Sequence, residues 1–200
     1  MKTTYTLKDK TSVIVRDLSP DDVEASLQFF LSIPENERRY LRSDVTSKQH
    51  IEERIQQALS GKIVRRVVEL DGKIIADGSL EILTEEWRGG TGHLRLVIGK
   101  DYRNLGVGHL LAWDLYHVAN DNKLNRIVTK LMRPQVNTIA LFEELGFKVG
   151  GLIPDYLVDR MGETQDMVIL VCPLETLRKA HAFIGEWVDA SHTSIGAGEI

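Results

Sequence analysis

Residues 62–99 carry three strand-like segments with no helix between them: "KIVRRVVEL", "KIIADGSLEIL" and, past "EEWRGGTG", "HLRLVIG". Asp71-Gly72 joins the first two and suits the positive φ angles of a tight hairpin turn. A doubly wound fold alternates strands with helices from the start, so this block excludes it and points to a mixed sheet. Helical patterns flank the block. "SPDDVEASLQFFLSI" opens with Ser19 as N-cap, Pro20 at the first helical position, and Asp21 and Asp22 in the first turn. "SKQHIEERIQQALSG" spaces Ile51, Ile55 and Leu59 four apart and stops at Gly61. After the block, Val107, Leu110, Leu111, Leu115 and Val118 line one helical face, and "QVNTIALFEELGF" gives a helix ended by Gly146.

Strands are also expected at "TSVIVRDL", "RIVTKLM", "KVGGLIPDYLV" and "QDMVILVC". The fold class is therefore α/β: about seven strands in one mixed, mostly antiparallel sheet flanked by helices. Residues 1–173 read as the domain. Residues 174–190 read as a C-terminal helix with Leu174, Leu177, His181, Ile184 and Val188 in a stripe, packed on the domain or on a partner. Residues 191–200 read as a flexible tail.

The stretch "YRNLGVGHL", Tyr102 to Leu110, follows a strand and opens a helix. The first amides of a helix lack intrahelical acceptors, and the macrodipole places positive charge there, so such a junction suits an anion. Gly106 and Gly108 let a ligand approach the backbone, and Arg103 adds a cation. His109 and Leu110 after Gly108 exclude a Walker loop. Leu111 stands where the third glycine of a dinucleotide fingerprint belongs, and the turn lies mid-chain, so that reading is excluded too.

Composition narrows the partners. A net charge of −4 brings no general basic surface, so no nucleic acid is expected. No apolar run approaches the roughly 18 residues of a membrane span, and the polar start "MKTTYTLKDK" lacks a signal-peptide core, so a cytoplasmic protein is expected. The single cysteine, Cys172, sits in "MVILVCPL" and reads as a small buried hydrophobe. The histidines show no metal-ligand spacing, and no metal is expected.

Two longer segments carry a family likeness. "LVIGKDYRNLGVGHLL" resembles the acetyl-coenzyme A signature of the GNAT N-acetyltransferase superfamily, R/Q-x-x-G-x-G/A. Downstream, "NTIALFEELGFKVGG" resembles its second signature, an Asn followed by a helix ending in Leu-Gly-Phe. Within the superfamily the chain is most similar to bacterial protein-acetyltransferase domains. The resemblance implies that acetyl-coenzyme A is the co-substrate. It implies that Arg103, Asn104, Leu105, Gly106, Val107 and Gly108 wrap the pyrophosphate, and that Asn137 contacts the pantetheine side. By the same likeness, the backbone of Val97 and Ile98 holds the pantetheine like an added strand. A main-chain N–H there polarises the thioester oxygen. Two positions depart from the pattern: Lys100 replaces a frequent proline, and Phe142, implied by the resemblance to lie at the cofactor, replaces the tyrosine that protonates the departing thiolate.

Transfer of acetyl to an amine needs the amine deprotonated, the oxyanion steadied and the thiolate released. Two residues are candidates for the base. His93 occupies the place, counted back from Tyr102, of a glutamate found in related protein acetyltransferases, and Glu81 lies on the neighbouring strand. Tyr102, Tyr116 and Tyr156 are candidate replacement acids, although a thiolate is already a fair leaving group. Asp155, Asp159, Glu163 and Asp166 surround the last hairpin, either to draw a cationic amine or as a solvated loop. The expected activity is acetyl transfer to a primary amine, with a protein lysine or N-terminal amine as acceptor. The alternatives are a small amine such as an antibiotic, polyamine or amino acid, or a non-catalytic acyl-coenzyme A-binding module. The amphipathic last helix suggests a homodimer surface.

Overall fold

The computed structural model describes residues 2–7, 9–83, 89–177, 179 and 188–193. Among these residues nine strands form one sheet in the order β7-β8-β6-β5-β4-β3-β2-β1-β9. The strands are β1 (Lys2–Leu7), β2 (Ser12–Asp17), β3 (Ile63–Leu70), β4 (Lys73–Ile82), β5 (Thr91–Ile98), β6 (Arg126–Met132), β7 (Lys148–Val158), β8 (Thr164–Pro173) and β9 (Val188–Thr193). The helices are α1 (Val23–Ser32), α2 (Glu35–Arg38), α3 (Lys48–Leu59), α4 (Val107–Asp121) and α5 (Val136–Glu144). Every neighbouring pair is antiparallel except β5 and β6.

The local signals act as expected at several places. Asp71 and Gly72 take φ of 48 and 76 and close the β3–β4 hairpin. Ser19 and Asp22 form a reciprocal capping box around the short turn Pro20–Asp22 that leads into α1. Gly61 and Gly146, at φ 79 and 88, end α3 and α5 in the left-handed conformation.

Alternation along the strands divides the molecule into two cores. On one face, α1 and α3 lay Phe29, Phe30, Ile51 and Ile55 against Val67 and Ile74. On the other, α4 and α5 bury Leu111, Leu115 and Phe142 against Leu80 and Leu94. Helix α4 sits so close to β4 that a Cβ on Gly78 would meet Leu111 Cγ at 2.8 Å. The first face also carries charge. Asp77, 4% exposed, pairs with Arg65 at 2.9 Å and with Arg54 at 3.0 Å.

The two ends of the chain differ from expectation. Lys2–Leu7 reads as polar and featureless, yet forms β1 against β2. Its residues alternate, with Tyr5 and Leu7 buried in the core. The expected C-terminal helix starts at Leu174, where Leu174 and Leu177 are buried, but Val188–Thr193 forms a strand on β1 instead of continuing that helix or a loose tail. Residues 181, 184 and 194–200 of those expectations lie outside the described residues. Cys172 is buried as expected, and burial pushes its thiol up to about 11.

Asp77 is the counter-charge for two arginines. Asp77→Ala is expected to lower the unfolding free energy by about 3 kcal/mol, because removing one partner leaves buried charge uncompensated. Urea unfolding read by circular dichroism measures it, and a loss under about 1 kcal/mol contradicts this account.

Candidate acetyl-coenzyme A site

The site begins where the parallel ladder stops. β5 and β6 pair only through Thr91–Arg126, Gly92–Ile127 and His93–Val128. Beyond His93, β5 stays with β4 as far as Ile98, and β6 stays with β8 as far as Met132. The two strands diverge, and among the described residues no strand lies beside the edge of β5 from Leu94 to Ile98 that faces β6. A cleft of about 980 Å³ opens there, within the usual range for a small-molecule site. Its walls include Leu96, Val97 and Ile98 of β5, Asn137 and Leu141 of α5, and Glu37, Arg39, Tyr40 and Leu41 from the chain around α2.

The glycine turn forms the outer end. Asn104 and Gly106 both have positive φ, 60 and 82, which turns successive amides toward one concavity. Gly106 is the N-cap of α4, and its carbonyl accepts from Leu110 at 2.9 Å. The amides of Asn104, Leu105, Gly106, Val107 and Gly108 donate to no acceptor among the described residues. A Cβ on Gly108 would lie 2.8 Å from Leu141 Cδ2, so any side chain there presses on the opposite wall. Free donors at a helix N-terminus, a glycine with no room to spare and an unpaired strand edge together fit a diphosphate with an extended amide-bearing arm.

Two ion-pair clamps hold α2 over the cleft. Arg103 grips Glu37 with both guanidinium ends, one contact being 3.1 Å, and reaches the Ile98 carbonyl at 3.4 Å. Its charge is thus shared with a carboxylate, not left open to the mouth. Arg39 pairs with Asp159 at 2.5 Å and also with Glu163. Asp159 further accepts the amides of Met161 and Glu163 and the side chain of Gln165. Asp166 takes Arg133 at 3.0 Å and the Asp155 amide. Asp159 and Glu163 therefore tie the β7–β8 connection to Arg39 at the end of α2, and Asp166 pairs with Arg133, so three of the four acidic residues serve as structural ion-pair partners.

The expected site residues divide into groups. Val97, Ile98, Arg103, Asn104, Gly106, Gly108 and Asn137 line the cleft. Leu105 and Val107 contribute amides at the turn while their side chains pack into the core. Phe142 does not reach the cleft. It is 0% exposed and packs edge-on against Phe147 at 4.9 Å, because it lies on the inner side of α5. The candidate acids Tyr102 and Tyr116 pack in the core, and Tyr156 lies exposed on β7. Tyr40, which sequence reasoning passed over, brings a phenol to the cleft.

His93 and Glu81, read as rivals from the sequence, are direct cross-strand partners. They share a sheet face with Arg95, whose guanidinium holds Glu81 at 2.7 Å. Burial works to raise the Glu81 carboxyl, but the hydrogen bond and charge of Arg95, with His93 and Arg42, outweigh it and keep the carboxyl below its usual range. His93 is pushed down to about 4, first by burial and then by the charge of Lys130, with Arg95 and Arg42 adding to it against Glu81. At neutral pH it is an uncharged imidazole with a free lone pair.

The comparisons with known proteins now bear on this geometry. The profile of the acetyltransferase (GNAT) family matches residues 27–147. The chain belongs to that family. It is an acetyltransferase, and acetyl-coenzyme A is its co-substrate. Its fold is similar to that of Mycobacterium smegmatis RimJ in complex with a coenzyme A disulfide. That match has a TM-score of 0.77 and 17% identity over 94% of this chain and 96% of the other. The ribosomal-protein-S5-alanine acetyltransferase of Vibrio fischeri gives 0.71 at 17% identity over 82% of this chain and 93% of the other. Salmonella typhimurium yncA, solved with acetyl-coenzyme A, gives 0.68 at 16% identity over 81% and 94%. Among the described residues no helix is long and apolar enough to cross a membrane, and no His, Cys, Asp and Glu group is placed to hold a metal ion.

The depressed His93 value has a stability consequence. As pH falls below 6.5 the unfolded chain protonates this histidine while the folded chain resists until about 4, so stability falls across that window. The difference in unfolding free energy between the wild type and His93→Gln is expected to shift against the wild type between pH 7 and pH 4. Parallel urea titrations at both pH values measure it, and a pH-independent difference contradicts the assignment.

Proposed function

We propose that this enzyme acetylates an α-amino group, transferring acetyl directly from bound acetyl-coenzyme A within the β5–β6 cleft. The observation that carries the proposal is the weak basicity of His93 and Glu81, cross-strand partners on β5 and β4 at the point where β5 and β6 begin to part. Glu81 is already committed to Arg95, and His93 is a poor resting place for a proton. An acceptor has to arrive with much of its population neutral. At pH 7.5 about a third of an α-amine with pKa near 7.8 is neutral, against about one part in a thousand of a lysine at 10.4. The surrounding cations lower an incoming amine's pKa further. This favours an amino terminus or an amino acid over a lysine side chain. The similarity to the S5-alanine acetyltransferase of Vibrio fischeri agrees with an α-amine acceptor.

In this reading the amides of Asn104–Gly108 hold the pyrophosphate and the free edge of Val97 and Ile98 holds the pantetheine arm. Bound acetyl-coenzyme A supplies an activated acyl carbon and a thiolate leaving group. Asn137 stands at the first turn of α5 and orients the arm from the other wall. His93 accepts a hydrogen bond from the amine through its uncharged ring, with Glu81 opposite it on the next strand and held by Arg95. The proton then passes to solvent, because neither side chain retains it.

Release of free thiol from acetyl-coenzyme A tests the proposal. N-terminal peptide amines and amino acids are expected to turn over at least tenfold faster than an Nα-blocked lysine peptide at pH 7.5; equal rates overturn the α-amine preference. Gly108→Trp is expected to raise the KM for acetyl-coenzyme A at least tenfold, a loss of about 1.4 kcal/mol. His93→Ala is expected to lower kcat by about ten- to a hundredfold with that KM little changed, the low end of acid–base effects. An unaltered kcat removes His93 from the reaction. The kcat/KM profile is expected to climb toward the amine's own pKa near 8 with no step at 6.5.

A further inference from the structure

The chain around α2 runs along the cleft. At one end Glu37 is held by Arg103, which adjoins the free amides of the glycine turn. Tyr40 follows one helical turn later, its amide donating to the Glu37 carbonyl at 3.1 Å. Leu41 comes next and lines the cleft together with Leu96 of β5. One residue further, Arg42 lies near enough to His93 and Arg95 for its charge to act on both. Tyr40 therefore stands between the phosphate end and the point where β5 and β6 part. Its ring is half-buried, with the Arg39 guanidinium 5.2 Å from the centroid, and Arg39 is itself fixed by Asp159 and Glu163. The Tyr40 hydroxyl makes no hydrogen bond with any described residue.

Acetyl transfer ends with sulfur leaving the acyl carbon, and a donor aimed at that sulfur meets charge that exists only late in the reaction. Few groups in the cleft wall can give a proton there. Arg39 and Arg103 keep theirs at any working pH. His109 lies past Gly108 on α4, at the phosphate end, and faces Glu144 at 3.4 Å. Thr138 on α5 is an alcohol, a far weaker acid than a phenol. Phe142 has no proton to give and is buried behind α5. Among the described residues Tyr40 is the one phenol in the lining. Building on the reading that the free edge of β5 holds the pantetheine arm, we infer that Tyr40 is the catalytic acid for the departing thiolate. The arm runs inward from the glycine turn and brings its sulfur to the stretch of cleft that Tyr40 covers. The amine nitrogen bonds the acyl carbon, the C–S bond breaks with its electron pair going to sulfur, and the Tyr40 O–H passes its proton to that sulfur. The amine's proton goes to solvent and solvent returns one to the phenolate, so the enzyme regains its starting state.

Tyr40→Phe keeps the ring and its contact with Arg39 while removing the O–H, so it separates chemistry from packing. It is expected to lower kcat about ten- to a hundredfold and to leave the KM for acetyl-coenzyme A within about threefold. A kcat within about twofold of the wild type overturns the inference. Binding reads the same contact without turnover. At pH 9, above the ordinary thiol value of about 8.5, calorimetry is expected to show coenzyme A binding about tenfold tighter than desulfo-coenzyme A, which has no sulfur, and the preference shrinks at pH 6.5. Tyr40→Phe is expected to cut that preference below about threefold. A preference that survives the substitution overturns the inference. So does its absence from the wild type, a result that stands even where the variant fails to fold. The underlying reading fails separately. An unchanged KM in Gly108→Trp removes the coenzyme from this cleft and takes the inference with it. A raised KM in Gly108→Trp beside an unaltered kcat in Tyr40→Phe overturns the inference alone.

Discussion

The early end of the β5–β6 ladder is the constraint on which the site depends. Backbone donors and acceptors in a sheet interior are normally satisfied by the next strand. Here three paired positions hold the parallel strands together, and each strand then follows its antiparallel neighbour. The divergence creates the cleft and leaves one edge of β5 without a strand partner among the described residues. The turn at Asn104–Gly108 closes the wide end with amides that no described residue accepts. A ligand with phosphates at one end and amides along its length meets two sets of unsatisfied groups in the order in which it needs them.

Electrostatics divide the cleft along its length. At the mouth, Arg103 and Arg39 are consumed by Glu37, Asp159 and Glu163, so their charge fixes α2 in place. Where β5 and β6 part, Glu81 offsets Arg95, and burial together with nearby cations holds His93 neutral. The net charge of the chain says nothing about this, because opposite local fields cancel in the sum.

Much of the architecture was legible in the residues. The Asp71-Gly72 hairpin, the Ser19 cap, the three successive strands and the helical stripes of α3 and α4 all depend on neighbours within a few positions. β1 and β9 were not legible: their place in the sheet comes from pairing with each other and with β2 across most of the chain length. Phe142 was misplaced for a related reason. A helical pattern shows that it is apolar, but only the packing of α5 on Phe147 shows which way it points. Within the site, Arg95 could have been read from its two-residue spacing with His93. Arg42 and Lys130 carry no local signal that joins them to it.

The sequence by itself determined the elements, the glycine turn and the family, because hydrophobic period, turn stereochemistry and unpaired helix-terminal amides are properties of short segments. Only the tertiary structure decided that Glu81 and His93 are one pair, that Arg39 ties the acidic hairpin to the end of α2, and that charges from three distant segments act together on His93. Charges interact through space, and the effective basicity of His93 is set by burial and by neighbours as distant in the chain as Arg42 and Lys130.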